Sequence, residues 1–221
     1  MQADNLYRRL LLLPFFQGLP ERDYYEIAER IRLYFRNYVQ GTTIVRQGDE
    51  CDAYRFVLRG ALKVERENPA GDYMLTEWTD KPTLICPESL YGLDTAHTRS
   101  FSAVSNVSVL EISKTDVFNV LMEYTTFRLN YMNYFSWRQQ QAMRMAWQTI
   151  PRTPQKRFVQ FVKNRCLRPV GRKQLQITQQ VLAREMAVAL QVLQAMLEEY
   201  RKEQLIETSR GIIEIPNLEK L

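Results

Sequence analysis

The sequence predicts an α+β fold: an antiparallel β-structure first, one long helix after it, and a small helix–helix–hairpin module at the end. Three observations carry this. Apolar residues alternate with period two between Val39 and Ser113, in TTIVRQGD, AYRFVLRGALKVERE, MLTEWTD and SFSAVSNVSVLEIS. After Lys114 the period becomes helical, and Phe127–Trp147 contains neither Gly nor Pro. Charge then divides the chain: residues 1–150 carry 17 Lys/Arg against 18 Asp/Glu, and residues 151–221 carry 13 against 7.

Leu6–Tyr34 has helical spacing, broken into short helices by Pro14 and by Gly18–Leu19–Pro20. The strands that follow are set off by Gly41, Gly48, Gly60 and the Asn68–Asp72 turn, and their number and shortness suggest a small barrel or jelly roll. Thr125–Thr126 can cap the next helix, which at about 20 residues is roughly 30 Å long. Leu129, Met132, Phe135 and Ala142 fall on one stripe of it, and the apolar girth exceeds what one barrel face requires, so a homodimer along this helix is expected. Thr149–Pro154 interrupts it, and Thr153 with Pro154 restarts a helix over Gln155–Arg165. A strand at Leu175–Ile177, a helix capped by Thr178, a turn at Ala187–Val188, a longer helix to Gln204 and a hairpin across Ser209–Gly211 give the order of a winged helix-turn-helix. The expected division is 1–125, 126–150 and 151–221.

Composition excludes several classes. Three widely spaced cysteines argue against a disulfide framework, and no C-x-x-C pair suggests a metal. The run Leu10–Phe16 is too short to span a bilayer and lacks the marks of a signal peptide, so a cytoplasmic chain without membrane partners is expected. No phosphate-loop or dinucleotide motif appears, and the single histidine leaves no Ser/His or Cys/His set. An enzyme is not expected, and no catalytic or metal-ligating residue is assigned. From Arg152 to Arg184 there are nine basic residues and no acidic one, the footprint of a polyanion partner such as double-stranded DNA.

The order of these parts resembles the catabolite-activator/fumarate–nitrate-regulator (CRP/FNR) family of bacterial transcription factors. The likeness lies in LPFFQGLPERD, GTTIVRQGD, YRFVLRGALKV and the hairpin ending at Gly71, and in ITQQVLAREMAVALQVLQAMLEEYRKEQLI at the C-terminus. It implies a cyclic-nucleotide-binding-like first domain and places CPESLYGLDTAHTRS as its phosphate-binding loop. Glu88, Arg99 and Ser100 match the family residues that hold the ribose and the cyclic phosphate. Pro87 stands where the family has glycine, Phe101 where it has a small residue, and Met143 and Arg144 where binders offer hydroxyls to the base. A buried ligand group left unpaired costs about 1–3 kcal/mol. Several such losses remove micromolar affinity, so a cyclic nucleotide is disfavoured and no cofactor is assigned. Glu88 and Arg99 then either brace the loop as an ion pair or serve a different small anionic effector. Cys86 beside a guanidinium is a redox candidate, with simple burial as the alternative. His97 has no second ligand to make it a metal site.

The resemblance also sets the DNA-facing residues. Where family readers carry Arg-Glu and a second Arg, this chain has Leu190, Gln191 and Ala195, and Ala187 replaces the usual turn glycine. Gln191 and Gln194 remain able to reach base edges. Arg184, Lys173 and Arg210 are assigned to the phosphate backbone, and Thr178 is placed with the DNA-binding residues. The apolar residues Leu190, Val192 and Ala195 leave a second reading open, in which this helix docks a protein partner instead.

Overall fold

The computed structural model describes Tyr7, Arg8 and residues 10–221; the expected helix start at Leu6 lies outside the described residues. The chain forms two compact units: one runs to Ala61 and includes residues 80–98 and 102–147, the other comprises residues 62–79, 99–101 and 148–221. This differs from the contiguous division at 125 and 150, and strand pairing in the second unit is the reason.

In the first unit, helix α1 (Glu21–Arg30) precedes strands β1 (Tyr34–Tyr38), β2 (Thr43–Val45) and β3 (Ala53–Arg59). Strand β6 (Thr83–Ile85), β8 (Val107–Ser113), helix α2 (Lys114–Asn119) and helix α3 (Thr125–Ala146) complete it. An antiparallel sheet runs in the order β1-β8-β3-β6. Strand β1 begins at Tyr34, where the sequence reads as the end of a helix. Nearly all of it is exposed, so it carries no burial alternation to betray it. Its place is fixed by pairing with β8, and by Arg36 and Tyr38, which both donate to Glu111, at 2.8 and 2.9 Å.

Phe15 is the hub of this core. Its ring meets Tyr54 and Phe56 of β3 and Phe127, Tyr131, Tyr134 and Phe135 of α3, at centroid distances of 5.2 to 6.2 Å. Such aromatic pairs contribute beyond their buried area. Asn130 Nδ2 donates to the carbonyls of Phe15 and Gln17 and ties the turn to the helix. The expected threonine cap is corrected: the N-cap of α3 is Tyr124, without a side-chain bond, and Thr125 and Thr126 are its first residues. Phe135 is also corrected, because it packs on its own core. Leu129 and Met132 are more than half exposed, and Ala142 is exposed as well.

The second unit contains strands β4 (Leu62–Glu67) and β5 (Tyr73–Thr79), helix α4 (Pro154–Lys163) and strand β9 (Lys173–Ile177). Helices α5 (Gln179–Met186) and α6 (Leu190–Lys202) and the hairpin β10 (Glu207–Ser209) and β11 (Ile212–Ile215) follow. Strand β7 (Ser100–Ala103) straddles the division. Thr153 caps α4 and Thr178 caps α5, both as expected. The strands lie in the order β10-β11-β9-β5-β4. The β4–β5 hairpin thus adds two strands to the C-terminal sheet, from Tyr73↔Ile177 to Glu77↔Lys173. Leu75, Leu175 and Ile213 form one cross-strand row against Phe158, Leu182, Leu193 and Met196. Burying each such aliphatic chain contributes about 1.5–3 kcal/mol.

At the end of that ladder lies a buried ion pair. Lys173 is fully buried, with Nζ 3.4 Å from Glu77 Oε2 and donating to the Val170 carbonyl at 2.6 Å. The Glu77 carboxylate also accepts the backbone N–H groups of Leu167 and Arg168. Lys173 therefore cannot face DNA, which corrects its assignment. Lys173→Met, which strands the Glu77 charge, is expected to lower stability by about 3–5 kcal/mol in urea denaturation. A change below about 0.5 kcal/mol, as for a surface lysine, would contradict this role.

Candidate functional site: a ligand loop and a basic face

The ligand loop starts from strained backbone. After β6, Cys86 adopts φ 37° and ψ 55°, a left-handed conformation that a side chain resists. Pro87 follows without an N–H to offer and opens a short 3-10 turn, Pro87–Ser89. Glu88 sits in this turn half-buried. Thr98 Oγ1 donates to its Oε1 at 2.9 Å, and Arg138 Nη2 of α3 lies 3.9 Å from its Oε2. Arg138 is held in turn by Tyr134, donating to its hydroxyl at 3.2 Å and lying over its ring.

Arg99 is buried and belongs to the other compact unit, where its guanidinium donates to the Arg165 carbonyl at 3.3 Å. Each of the two expected anion-cradle residues is thus engaged by partners of its own. Ser100 is half-buried at the start of β7, and Phe101 is buried. Met143 and Arg144 are exposed near the end of α3; the residue of this helix that reaches Glu88 is Arg138, one to two turns earlier. The sequence singled out no residue there because a lone arginine among glutamines marks nothing.

Two other side chains of the loop are sealed in. Cys86 is buried with Sγ 3.6 Å from Thr98 Oγ1. His97 is 2% exposed, and neither ring nitrogen has a hydrogen-bond partner. Burial, and then the Arg55 cation, push its pKa below the usual 6.5, against the pull of Asp49, Asp52 and Glu88. Burial raises the thiols of Cys51 and Cys166 to about 11, which leaves them poor nucleophiles at neutral pH. Among the described residues no group of three His, Cys, Asp or Glu side chains could hold a metal, and no helix is long and apolar enough to cross a membrane.

The expected basic face comprises α5, α6 and the hairpin after them, with the cations of the run from Arg152 to Arg184. Thr178 Oγ1 accepts from the Val181 N–H, and α5 ends at Ala187 with φ 52°, the conformation a glycine would adopt freely. Arg157 donates to the carbonyls of Met186 and Ala187 and braces this turn. Helix α6 buries Leu193, Met196, Leu197 and Tyr200, which leaves Gln191, Val192, Gln194 and Ala195 outward. Gln194 Nε2 donates to Gln179 Oε1 at 3.1 Å, and Arg210 is exposed at the β10–β11 turn.

Much of the basic run is spent internally. Arg165 donates to the Tyr73 hydroxyl and to Glu185 and lies 3.9 Å over the Phe161 ring. Arg172 lies over Trp78 and pairs with Glu214. Arg184 pairs with Asp72 at 2.5 Å. Arg152, Lys156 and Lys163 remain exposed. The sequence showed the cations but not their partners, because Asp72 and Glu77 lie about 100 residues earlier.

Residues 35–124 match the cyclic nucleotide-binding domain family. Among solved structures, the catabolite activator protein of Thermus thermophilus is similar over 92% of this chain and 93% of its own, at 20% identity and a TM-score of 0.50. The sensor domain of the transcriptional regulator DNR from Pseudomonas aeruginosa is similar over 64% of this chain and 93% of its own, at 18% identity and a TM-score of 0.53. The N-terminal domain of a transcriptional regulator from Streptomyces coelicolor A3(2) is similar over 64% and 96%, at 19% identity and a TM-score of 0.51. At these identities the likeness is one of fold. No curated protein sequence matches the chain.

Two outcomes follow from the loop. Titration with cyclic AMP to about 1 mM is expected to show no saturable binding by calorimetry, and a micromolar Kd would contradict the occupied state of Glu88 and Arg99. Stability should fall as pH drops below 6.5, because the unfolded imidazole takes up a proton that the buried His97 resists. Urea midpoints measured between pH 7.5 and about 5 should show this decline, and His97→Phe should make it shallower.

Proposed function

We propose that this chain, which carries a cyclic nucleotide-binding domain over residues 35–124 and resembles the CRP/FNR regulators along most of its length, is a homodimeric DNA-binding transcription regulator. In this reading the first domain is a jelly roll whose nucleotide pocket has degenerated, and residues 151–221 are a winged helix-turn-helix. The observation that carries it is the α5–turn–α6–hairpin succession. Its outward residues on α6 are Gln191 and Gln194, with exposed cations before it and Arg210 at the hairpin tip. Phosphate contacts from these cations supply affinity, and the glutamines supply base discrimination, adenine being their natural bidentate partner.

The outward side of α3 supports a dimer: Leu129, Met132, Trp137 and Met143 are each more than half exposed there. Apolar surface of this kind on a long helix is what a twin helix would cover. A second reading has one observation in its favour, the exposed Val192 on the outer face of α6, which suits docking of a protein partner.

Fluorescence anisotropy with duplex DNA in a salt series tests the proposal. Affinity should fall steeply with salt, and Gln191→Ala should reduce discrimination among sequences by about 1–3 kcal/mol. Absence of binding at about 50 mM salt would contradict DNA as the partner and favour the docking reading. Sedimentation equilibrium should give a dimer that Met132→Glu dissociates; a wild-type monomer would contradict the dimer.

A further inference from the structure

The β4–β5 hairpin belongs by sequence to the matched domain, yet its tip lies on the face assigned to DNA. The tip is rigidly made. Asn68 Oδ1 accepts the N–H groups of Asp72 and Tyr73, the Gly71 N–H donates to the Asn68 carbonyl, and Gly71 turns with φ 72°. Asn68 Nδ2 donates to Asp72 Oδ1, which fixes the carboxylate and aims Oδ2 at Arg184 Nη2, 2.5 Å away. The Arg184 and Asn68 hydrogen bonds hold the Asp72 carboxyl below the usual carboxylate range, so it stays charged. The same Asp72 lines a groove of about 270 Å³ with Gln176, Thr178, Arg210 and Gly211. An amide, a hydroxyl and a guanidinium around one groove form a seat for a phosphodiester. At its wall stands a carboxylate that would repel one.

We infer that this groove, together with Arg184 on the other side of Asp72, is a backbone-phosphate seat for nucleic acid, restrained by Asp72, whose carboxylate lines the groove and takes the place of a phosphate on Arg184. The inference rests on the DNA reading above and adds to it a built-in restraint. While Asp72 is bound at 2.5 Å, with Glu185 Oε1 farther off at 3.8 Å, Arg184 is paired and releases no counterion when DNA arrives. DNA and the hairpin tip compete for one guanidinium, so by linkage DNA binding weakens the hold on the tip and release of the tip strengthens DNA binding. Glu77, six residues from the tip's Gly71, removes Lys173 from the same surface in a pair too buried to exchange.

Asp72→Asn keeps the shape of the turn and removes the charge. Anisotropy on a duplex of arbitrary sequence should show affinity increased by about threefold to tenfold. The slope of log K against log salt should steepen by about 0.9, the value for one further phosphate neutralised. Arg184→Ala in the Asp72→Asn background should return the slope to the wild-type value. Arg184→Ala alone should leave it unchanged. Far-UV circular dichroism and thermal melts of each variant confirm that the fold is kept; Asn68→Ala, which removes the side chain that orients both the turn and the Asp72 carboxylate, gives a milder rise if Asp72→Asn fails to fold. Wild-type binding with no change of slope in either Asp72→Asn or Asn68→Ala overturns the inference and leaves the DNA reading intact. A wild-type slope already reduced by Arg184→Ala overturns it too, since Arg184 would then contact DNA directly. No binding by any form overturns both.

Discussion

The structure depends on one seam, the antiparallel ladder between β5 and β9 with the Glu77–Lys173 pair at its end. Without it the C-terminal sheet would stop at β9 and present an open edge, a template for unwanted pairing. With it, Leu75 enters the core of the second unit, the Glu77 carboxylate organises the N–H groups of the segment after α4, and the hairpin turn is carried to Arg184. A buried ion pair is weak evidence for net stability, because desolvation offsets much of the attraction. Its value here is register. A slip of one residue would turn Glu77 and Lys173 to opposite faces and leave each charge buried alone.

This seam changes how the charge of the chain is read. The run from Arg152 to Arg184 looks like an uninterrupted cationic surface when taken alone. The hairpin brings Glu65, Glu67, Asp72 and Glu77 into the same unit against Lys63 and Arg66. Two of the cations assigned to DNA, Lys173 and Arg184, have carboxylate partners from it, and Arg165 and Arg172 lie on its rings Tyr73 and Trp78. The loop around Glu88 shows a parallel arrangement. Glu88 is bonded by Thr98 and lies near Arg138, and Arg99 donates to the Arg165 carbonyl. In both places residues suited to an external anion are engaged internally.

What was legible in the sequence was local. Proline and threonine marked the start of α4, Thr178 marked the start of α5, and uninterrupted helical period marked α3, since caps and periodicity are written within a few residues. The substitution of Ala187 for a turn glycine was visible too, and the backbone there does adopt the glycine-like conformation. Strand β1 is not legible because an exposed strand has no alternation, and β6 is not because three buried residues have no period. The direction of Phe135 is not legible in the sequence, because a stripe of threes and fours on α3 runs along the boundary between the face packed on Phe15 and the exposed one. Arg138, Asp72 and Glu77 were beyond reach for a different reason: their roles come from partners distant in the chain, and nothing in the surrounding residues distinguishes them from solvated charges.

Native-state hydrogen exchange across residues 73–79 and 173–177 tests the seam most directly. Amides of β5 and β9 that bond across it should show matched protection and should open together as denaturant is added, as members of one cooperative unit. Rapid exchange throughout β5 beside slow exchange in β9 would mean that the hairpin stands apart from the C-terminal sheet, and the account of both the basic face and its restraint would fail with it.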